Sequence, residues 1–278
     1  MLPAAAGQDD QRLALWHPPL GDLRGLVLYV HPFAEEMNKA RRMAALQARA
    51  LATAGFGVLQ MDLKGCGDSS GDFGDATWAD WVADVQAGLH WLRRQGRAPL
   101  TLWGLRAGCL LAAEAAIASP QEIYHFVFWQ PTPKGASVLR QFLRAAAASA
   151  WVDGAGKGVV EGLRKQLADG QSVQVSGYRL HPQLAAGLDA AQLKAPAQVG
   201  RVVWFESGAR TDTIDPAPGR ADLHAMGPAS SSAAVPWQAA ATRFNWQALR
   251  FPSFWQSTEI EEAPDLIQAT TAALAAQA

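Results

Sequence analysis

Residues 100–116 read LTLWGLRAGCLLAAEAA. Leu100 to Leu105 is a continuous apolar run of the kind that forms a strand buried on both faces. From Ala107 onward the residues are small or apolar and favour a helix. Between them stands GLRAG, residues 104–108, with a glycine at each end. A chain that passes from strand to helix in so few residues bends sharply. The central residue takes an unfavourable backbone geometry, and its neighbours have little room beside strand and helix. Such a turn presents its central side chain at the carboxyl end of the strand. Serine, cysteine or aspartate there would attack a carbonyl; Arg106 cannot, because its guanidinium stays protonated and offers only donors.

Strand-like and helix-like segments alternate on both sides of this turn. GLVLYV (residues 25–30), FGVLQMDL (56–63), IYHFVFWQP (123–131), RVVWFES (201–207) and NWQALRF (245–251) read as strands. NKARRMAALQARALATAG carries Met43, Leu46, Ala50 and Leu51 at helical spacing and ends at Gly55. Thr77 and Asp80 form a capping box before a helix with an apolar stripe of Trp78, Trp81, Val82, Val85, Leu89 and Leu92. APDLIQATTAALAA reads as a last helix, and GPASSSAAVPWQ (227–238) as a loop rich in Pro, Ser and Ala. This alternation predicts an α/β architecture with a mostly parallel sheet and helices on both faces. Between residues 132 and 199 the pattern turns to helices and one hairpin-like segment, SVQVSGYRL. We expect residues 1–131 and 200–278 to form the core and 132–199 a helical cap insertion. GAGKG within that insertion lacks the spacing of a P-loop and reads as a turn.

Two further motifs agree with GLRAG in order and spacing. HPF (31–33) follows the first central strand, where many α/β-hydrolases carry a loop that supplies an oxyanion donor. DLKGCGDS (62–69) follows the next and is close to the D-x-R-G-x-G-x-S turn of that superfamily. Together the three predict the α/β-hydrolase fold. Over nearly its whole length the sequence also resembles one family, exosortase A system-associated hydrolase 2. The segments that carry the resemblance are HPFAEEMNKARRM, DLKGCGDSSGDFGDATW, LWGLRAGCLLAAEAA and FWQSTEIEEAPDL. It implies an α/β-hydrolase encoded beside exosortase, PEP-CTERM sorting and exopolysaccharide genes, usually near a second, distantly related hydrolase. The hydrolase label is an analogy of fold and assigns no catalytic residue.

A hydrolase of this fold needs a nucleophile on the elbow, an acid after a later strand and a histidine after the last one. None of the six histidines follows the last strand, where Phe254 and Trp255 stand instead. The acid position falls near Gly208 or Ala209, with Glu206, Asp212 and Asp215 close by. A Ser-His-acid mechanism is therefore not expected. Arg106, beside a helix N-terminus, is suited to gripping a carboxylate or phosphate, either internal or bound. Glu35 and Glu36 are its expected partners and, with Arg106, the candidates for catalysis by water activation. His31, Phe33, Arg106, Ala107 and Trp255 are the expected substrate-binding positions. Asn38, Lys39, Arg41 and Arg42 add polar groups to the same segment, some of which will only face water. Ser69 and Ser70 read as capping hydroxyls, and Cys109 as a packed residue without a histidine partner.

The chain has 278 residues with 24 basic and 25 acidic side chains, a formal net charge of −1. Nothing in that balance favours nucleic acid or an anionic membrane. No apolar run is long enough to span a membrane and no signal peptide precedes the first strand, so a cytoplasmic location is expected. Two cysteines make no disulfide framework, and no ligand spacing for a metal or fingerprint for a nucleotide cofactor is present. Eleven tryptophans exceed what the length requires; they fill the core or line an aromatic surface. Three readings follow: a hydrolase or acyl-transfer enzyme with a non-standard site at Arg106 and Glu35/Glu36; a degenerate relative that binds an anionic small molecule; or a partner of another protein, such as the neighbouring hydrolase, through the aromatic segment 237–255. A closed polar cleft at Arg106 speaks for the first two, a cleft filled by Phe254 and Trp255 for the third.

Overall fold

The computed structural model describes residues 2–3, 10–120, 122–152, 158–208 and 223–276. They group into two compact units. The larger comprises Ala14–Met61, Val85–Pro133 and Leu193–Ala278, the smaller Met1–Leu13, Asp62–Asp84 and Lys134–Gln192.

Seven strands of the larger unit form one sheet: β1 (Ala14–His17), β2 (Gly25–Val30), β3 (Phe56–Met61), β4 (Leu100–Leu105), β5 (Tyr124–Trp129), β6 (Val199–Ser207) and β7 (Ala241–Leu249). Their order is β7-β6-β5-β4-β2-β3-β1, with only β1 antiparallel to its neighbour. This is the α/β-hydrolase arrangement. Every residue of β2 and β4 is buried, the physical reason these strands are continuous apolar runs rather than alternating ones. One face packs Val27, Tyr29, Trp103, Trp129 and Phe205 into a core shared with helices α1 (Glu35–Thr53) and α5 (Pro264–Ala275). On the other face, Leu28 lies against Gly88 of α2 (Trp78–Gln95), and Gly104 against Cys109 of α3 (Gly108–Ile117). There Phe126 and Phe128 meet the Trp237 ring of α4 (Pro228–Ala240) edge-on.

Helix α4 corrects the reading of 227–238 as a loop. Pro228 occupies the first turn, where a missing N–H costs nothing, and alanines follow. Trp237, fully buried, donates its indole N–H to Leu193 O at 3.1 Å and ties the helix to the chain entering β6.

In the smaller unit, helices Gly135–Val152, Val159–Ala168 and Pro182–Ala190 accompany a hairpin of Val173–Val175 and Tyr178–Leu180. Ser176 and Gly177 both have positive φ at its tip, as a two-residue hairpin turn requires. The DLKGCGDS turn lies in this unit. Ser69 Oγ donates to Asp62 O and accepts from Leu13 N–H, and Ser70 Oγ accepts from Gln11 N–H. Both hydroxyls hold backbone in place. The Thr77–Asp80 capping box is present, with reciprocal bonds of 2.9 and 3.1 Å. Arg12 and Asp84, both buried, form a 2.8 Å ion pair.

Candidate functional site

The elbow is real as backbone. Arg106 has φ 55°, the left-handed conformation that a side chain rarely adopts, between β4 and α3. Both flanking glycines are required by contact. A Cβ on Gly104 would approach Cys109 N and Cα to 2.7 Å, and one on Gly108 would approach Val30 O to 2.2 Å. The chain thus keeps the strained turn that displays a nucleophile, with an arginine at its centre. The HPF loop after β2 is also constrained. Ala34 has φ 51°, and Phe33 O and Ala34 O accept from Glu36 N–H and Met37 N–H to start α1.

Two segments far from the elbow in sequence meet at the Arg106 side chain. From the first turn of α1, Glu36 places Oε1 3.5 Å from Arg106 Nη2. From the loop after β7, Gln256 Nε2 donates to the same oxygen at 3.3 Å. From that loop too, the Trp255 ring lies under the guanidinium, 5.6 Å from its carbon to the ring centroid. The two charged side chains are only 15% and 13% exposed. Glu36 Oε2 and the Trp255 indole N–H are buried and make no hydrogen bond among the described residues. A buried guanidinium and carboxylate normally meet as a fork with two short bonds. Here the contact between them is long, at 3.5 Å.

Burial pushes the Glu36 carboxyl above its ordinary value of 4.5, while the Arg106 charge and the bonds from Gln256 and Arg106 pull it down. The net shift is upward, so the folded protein holds this proton more tightly than the unfolded chain. The Glu36 contribution to stability is complete below about pH 4.5 and is lost as pH rises through the folded-state pKa. We expect the unfolding free energy of wild type minus that of Glu36→Gln to fall as pH rises from 4.5 and then level off. Chemical denaturation across pH checks this; a difference that stays flat or rises would show that the pair with Arg106 outweighs burial.

The other expected positions fall as follows. Glu35 is exposed on α1, where its carboxylate accepts from Asn38 at 3.1 Å, and the ion pair with Arg106 goes to Glu36. His31 is buried, with Nδ1 bonded to Pro32 O at 2.8 Å. Phe33 and Ala107 are buried beside the elbow. Burial pushes the Cys109 thiol well above its ordinary range, which leaves it packed and unreactive. Lys39 donates to Gln256 O at 3.1 Å, whereas Arg42 pairs with Glu262. In the 237–255 segment Trp237 and Trp255 are buried and Trp246 is half-buried. Glu206, at the end of β6, accepts from the indoles of Trp204 and Trp246 at 3.1 and 3.3 Å. Ala209, Asp212 and Asp215 lie outside the described residues. Among the described residues, no group of three His, Cys, Asp or Glu side chains is placed to hold a metal ion, and no helix is long and apolar enough to cross a membrane.

Gln256 is the site residue that sequence reading missed. It follows Phe254 and Trp255 directly, in the loop where a histidine was sought, and it is the first amide there that can reach α1.

The family described as serine aminopeptidase, S33, matches residues 21–163, just over half of the chain. The chain belongs to this family. Human Protein ABHD12B is 30% identical over 118 residues, which are 41% of this chain and 31% of that protein; the match thus spans under a third of the relative's length. Among solved structures, this family member is similar to Est1E from Butyrivibrio proteoclasticus with ferulic acid bound, at 14% identity and TM-score 0.64 over 96% of this chain and 94% of that one. It is also similar to an α/β serine hydrolase without a lid from Xanthomonas campestris, at 16% identity and TM-score 0.51 over 99% and 90%. At such identities the likeness is one of fold, and the α/β-hydrolase fold is shown.

Proposed function

We propose that this protein is a non-hydrolytic member of its family that binds a small carboxylate, with Arg106 exchanging Glu36 for the ligand's carboxylate. The observation that carries this reading is the Arg106–Glu36 contact. The elbow guanidinium makes a 3.5 Å contact with a carboxylate whose second oxygen has no hydrogen-bond partner among the described residues. An incoming carboxylate that makes a bidentate fork gains what Glu36 lacks. Trp255 beneath the guanidinium supplies a fixed cation–π platform that keeps the fork oriented during exchange.

No step of ester hydrolysis can be written from these residues in the usual way. The elbow offers no nucleophile, and the histidine's place is filled by Phe254 and Trp255, a feature shared with the protein-partner reading; the Arg106–Glu36 contact beside it is what favours a carboxylate ligand. The alternative, water activation by Glu36, draws support from its raised pKa. It predicts turnover of acyl esters or thioesters that Glu36→Ala abolishes. The resemblance to exosortase A system-associated hydrolase 2 supports a ligand from exopolysaccharide or C-terminal sorting chemistry, such as an anionic sugar derivative or acyl intermediate.

Calorimetric titration of the full chain with D-glucuronate, with glucose as the uncharged control, tests the reading. Saturable binding of glucuronate alone is expected. Equal response to both sugars, or ester turnover lost in Glu36→Ala, would overturn it.

A further inference from the structure

The larger unit has a polar concavity at the edge of its sheet opposite the elbow, where the parallel strands begin. Its volume is about 320 Å³, and Arg24, Thr101, His125, Arg201, Thr242 and Arg243 contribute to its lining. These residues lie before β2 and near the starts of β4, β5, β6 and β7, so one sheet edge gathers three guanidiniums from three chain segments.

Neutral partners hold two of them. Arg24 donates to Ala54 O and Ala275 O, and Arg201 donates to Ala273 O at 2.9 Å. These carbonyls end α1 and α5, so the arginines cap helices whose negative ends point this way. Capping by carbonyls orients each guanidinium, and the two helix ends, about half a negative charge each, offset part but not all of the three positive charges. Arg243, exposed on edge strand β7, makes no ion pair among the described residues. No carboxylate among the described residues lines the concavity. Burial and the neighbouring charge of Arg243 both hold Arg201 below its ordinary pKa, as expected of like charges left together. His125 is fixed as well. Its Nδ1 accepts from Arg201 N–H at 2.9 Å, and a Cβ on Gly200 would come within 2.8 Å of the ring. In the neutral ring the remaining nitrogen, Nε2, then carries the proton and is a donor.

We propose that this concavity is a phosphate site, for phosphate itself or for the phosphate group of a small phosphorylated molecule. Three guanidiniums, an imidazole N–H and the hydroxyls of Thr101 and Thr242 offer more donors and more positive charge than one carboxylate satisfies. A tetrahedral dianion uses both. The volume exceeds that of phosphate alone and leaves room for a body attached to it. The site is independent of Arg106, so either proposal stands if the other fails.

The test is a titration of the ¹⁵N-labelled full chain with sodium phosphate, at ionic strength held constant with sodium chloride, followed by amide spectra. Saturable shifts are expected at Thr101, Gly200, Arg201 and Thr242, with none from chloride alone. Arg243→Gln, an exposed change that leaves both helix caps intact, weakens binding about tenfold or more. Arg106→Gln leaves these shifts unchanged. A parallel titration with a hexose phosphate identifies the source: tighter binding than phosphate assigns the site to phosphorylated molecules, and equal binding to free phosphate. Absence of saturable shifts at these amides with either probe, or affinity unaltered in Arg243→Gln, would overturn the proposal.

Discussion

Gly108→Ala costs about 3 kcal/mol or more of folding stability, enough to unfold a marginal domain. The added methyl would lie 2.2 Å from Val30 O and 2.7 Å from His31 O. Both are backbone oxygens, and Val30 belongs to a central strand hydrogen-bonded to strands on either side. Neither can move without breaking the sheet, and α3 cannot retreat without opening the elbow. Gly162→Ala is the matched control. It lies inside helix Val159–Ala168 with nothing within 4 Å of its added methyl, and is expected to stabilise by about 0.5–1 kcal/mol through helix propensity. Denaturant midpoints of the two variants should move in opposite directions. A Gly108→Ala protein as stable as wild type would mean that the close packing of α3 on β2 is not what shapes this turn.

Arg106→Gln lowers affinity for glucuronate by about tenfold to a hundredfold, the range for loss of a charge-assisted fork. Glutamine keeps a planar donor group but ends two bonds short of the guanidinium carbon and removes the charge, so the loss reports on fork and charge together. Arg106→Lys keeps the charge, gives up the fork and falls between the two. Calorimetry of the three proteins reads the order directly. An Arg106→Gln protein that binds as tightly as wild type would place the carboxylate elsewhere.

The backbone of this site was legible because it depends on residues whose constraint is local. Gly104 and Gly108 stand where a Cβ cannot, and apolar runs such as GLVLYV and LTLWGL mark strands buried on both faces. Helix α4 was hidden by composition. Ser and Pro at 227–238 read as a loop, and what makes them helical is Pro228 in the first turn together with Trp237, whose anchor, Leu193 O, is 44 residues away. The site's polar contacts were half legible. Arg106 stood out as a chemical misfit, and Glu35 and Glu36 as carboxylates at the right edge. Only the helical phase of α1 decides between them, turning Glu36 toward the elbow and Glu35 toward solvent. Gln256 reaches Glu36 across 220 residues, and no spacing rule encodes such a contact.

In the proposed exchange Glu36 and a ligand carboxylate compete for the same guanidinium, and Glu36→Gln tests that competition. Removing the resident negative charge while keeping the side chain's shape takes away the competitor. Calorimetric titration with glucuronate at pH 7 is therefore expected to show tighter binding to Glu36→Gln than to wild type, and no tightening when Arg106→Gln is added. Affinity that is weaker in Glu36→Gln, or the same, would contradict exchange at Arg106 and leave the pair a fixed structural contact.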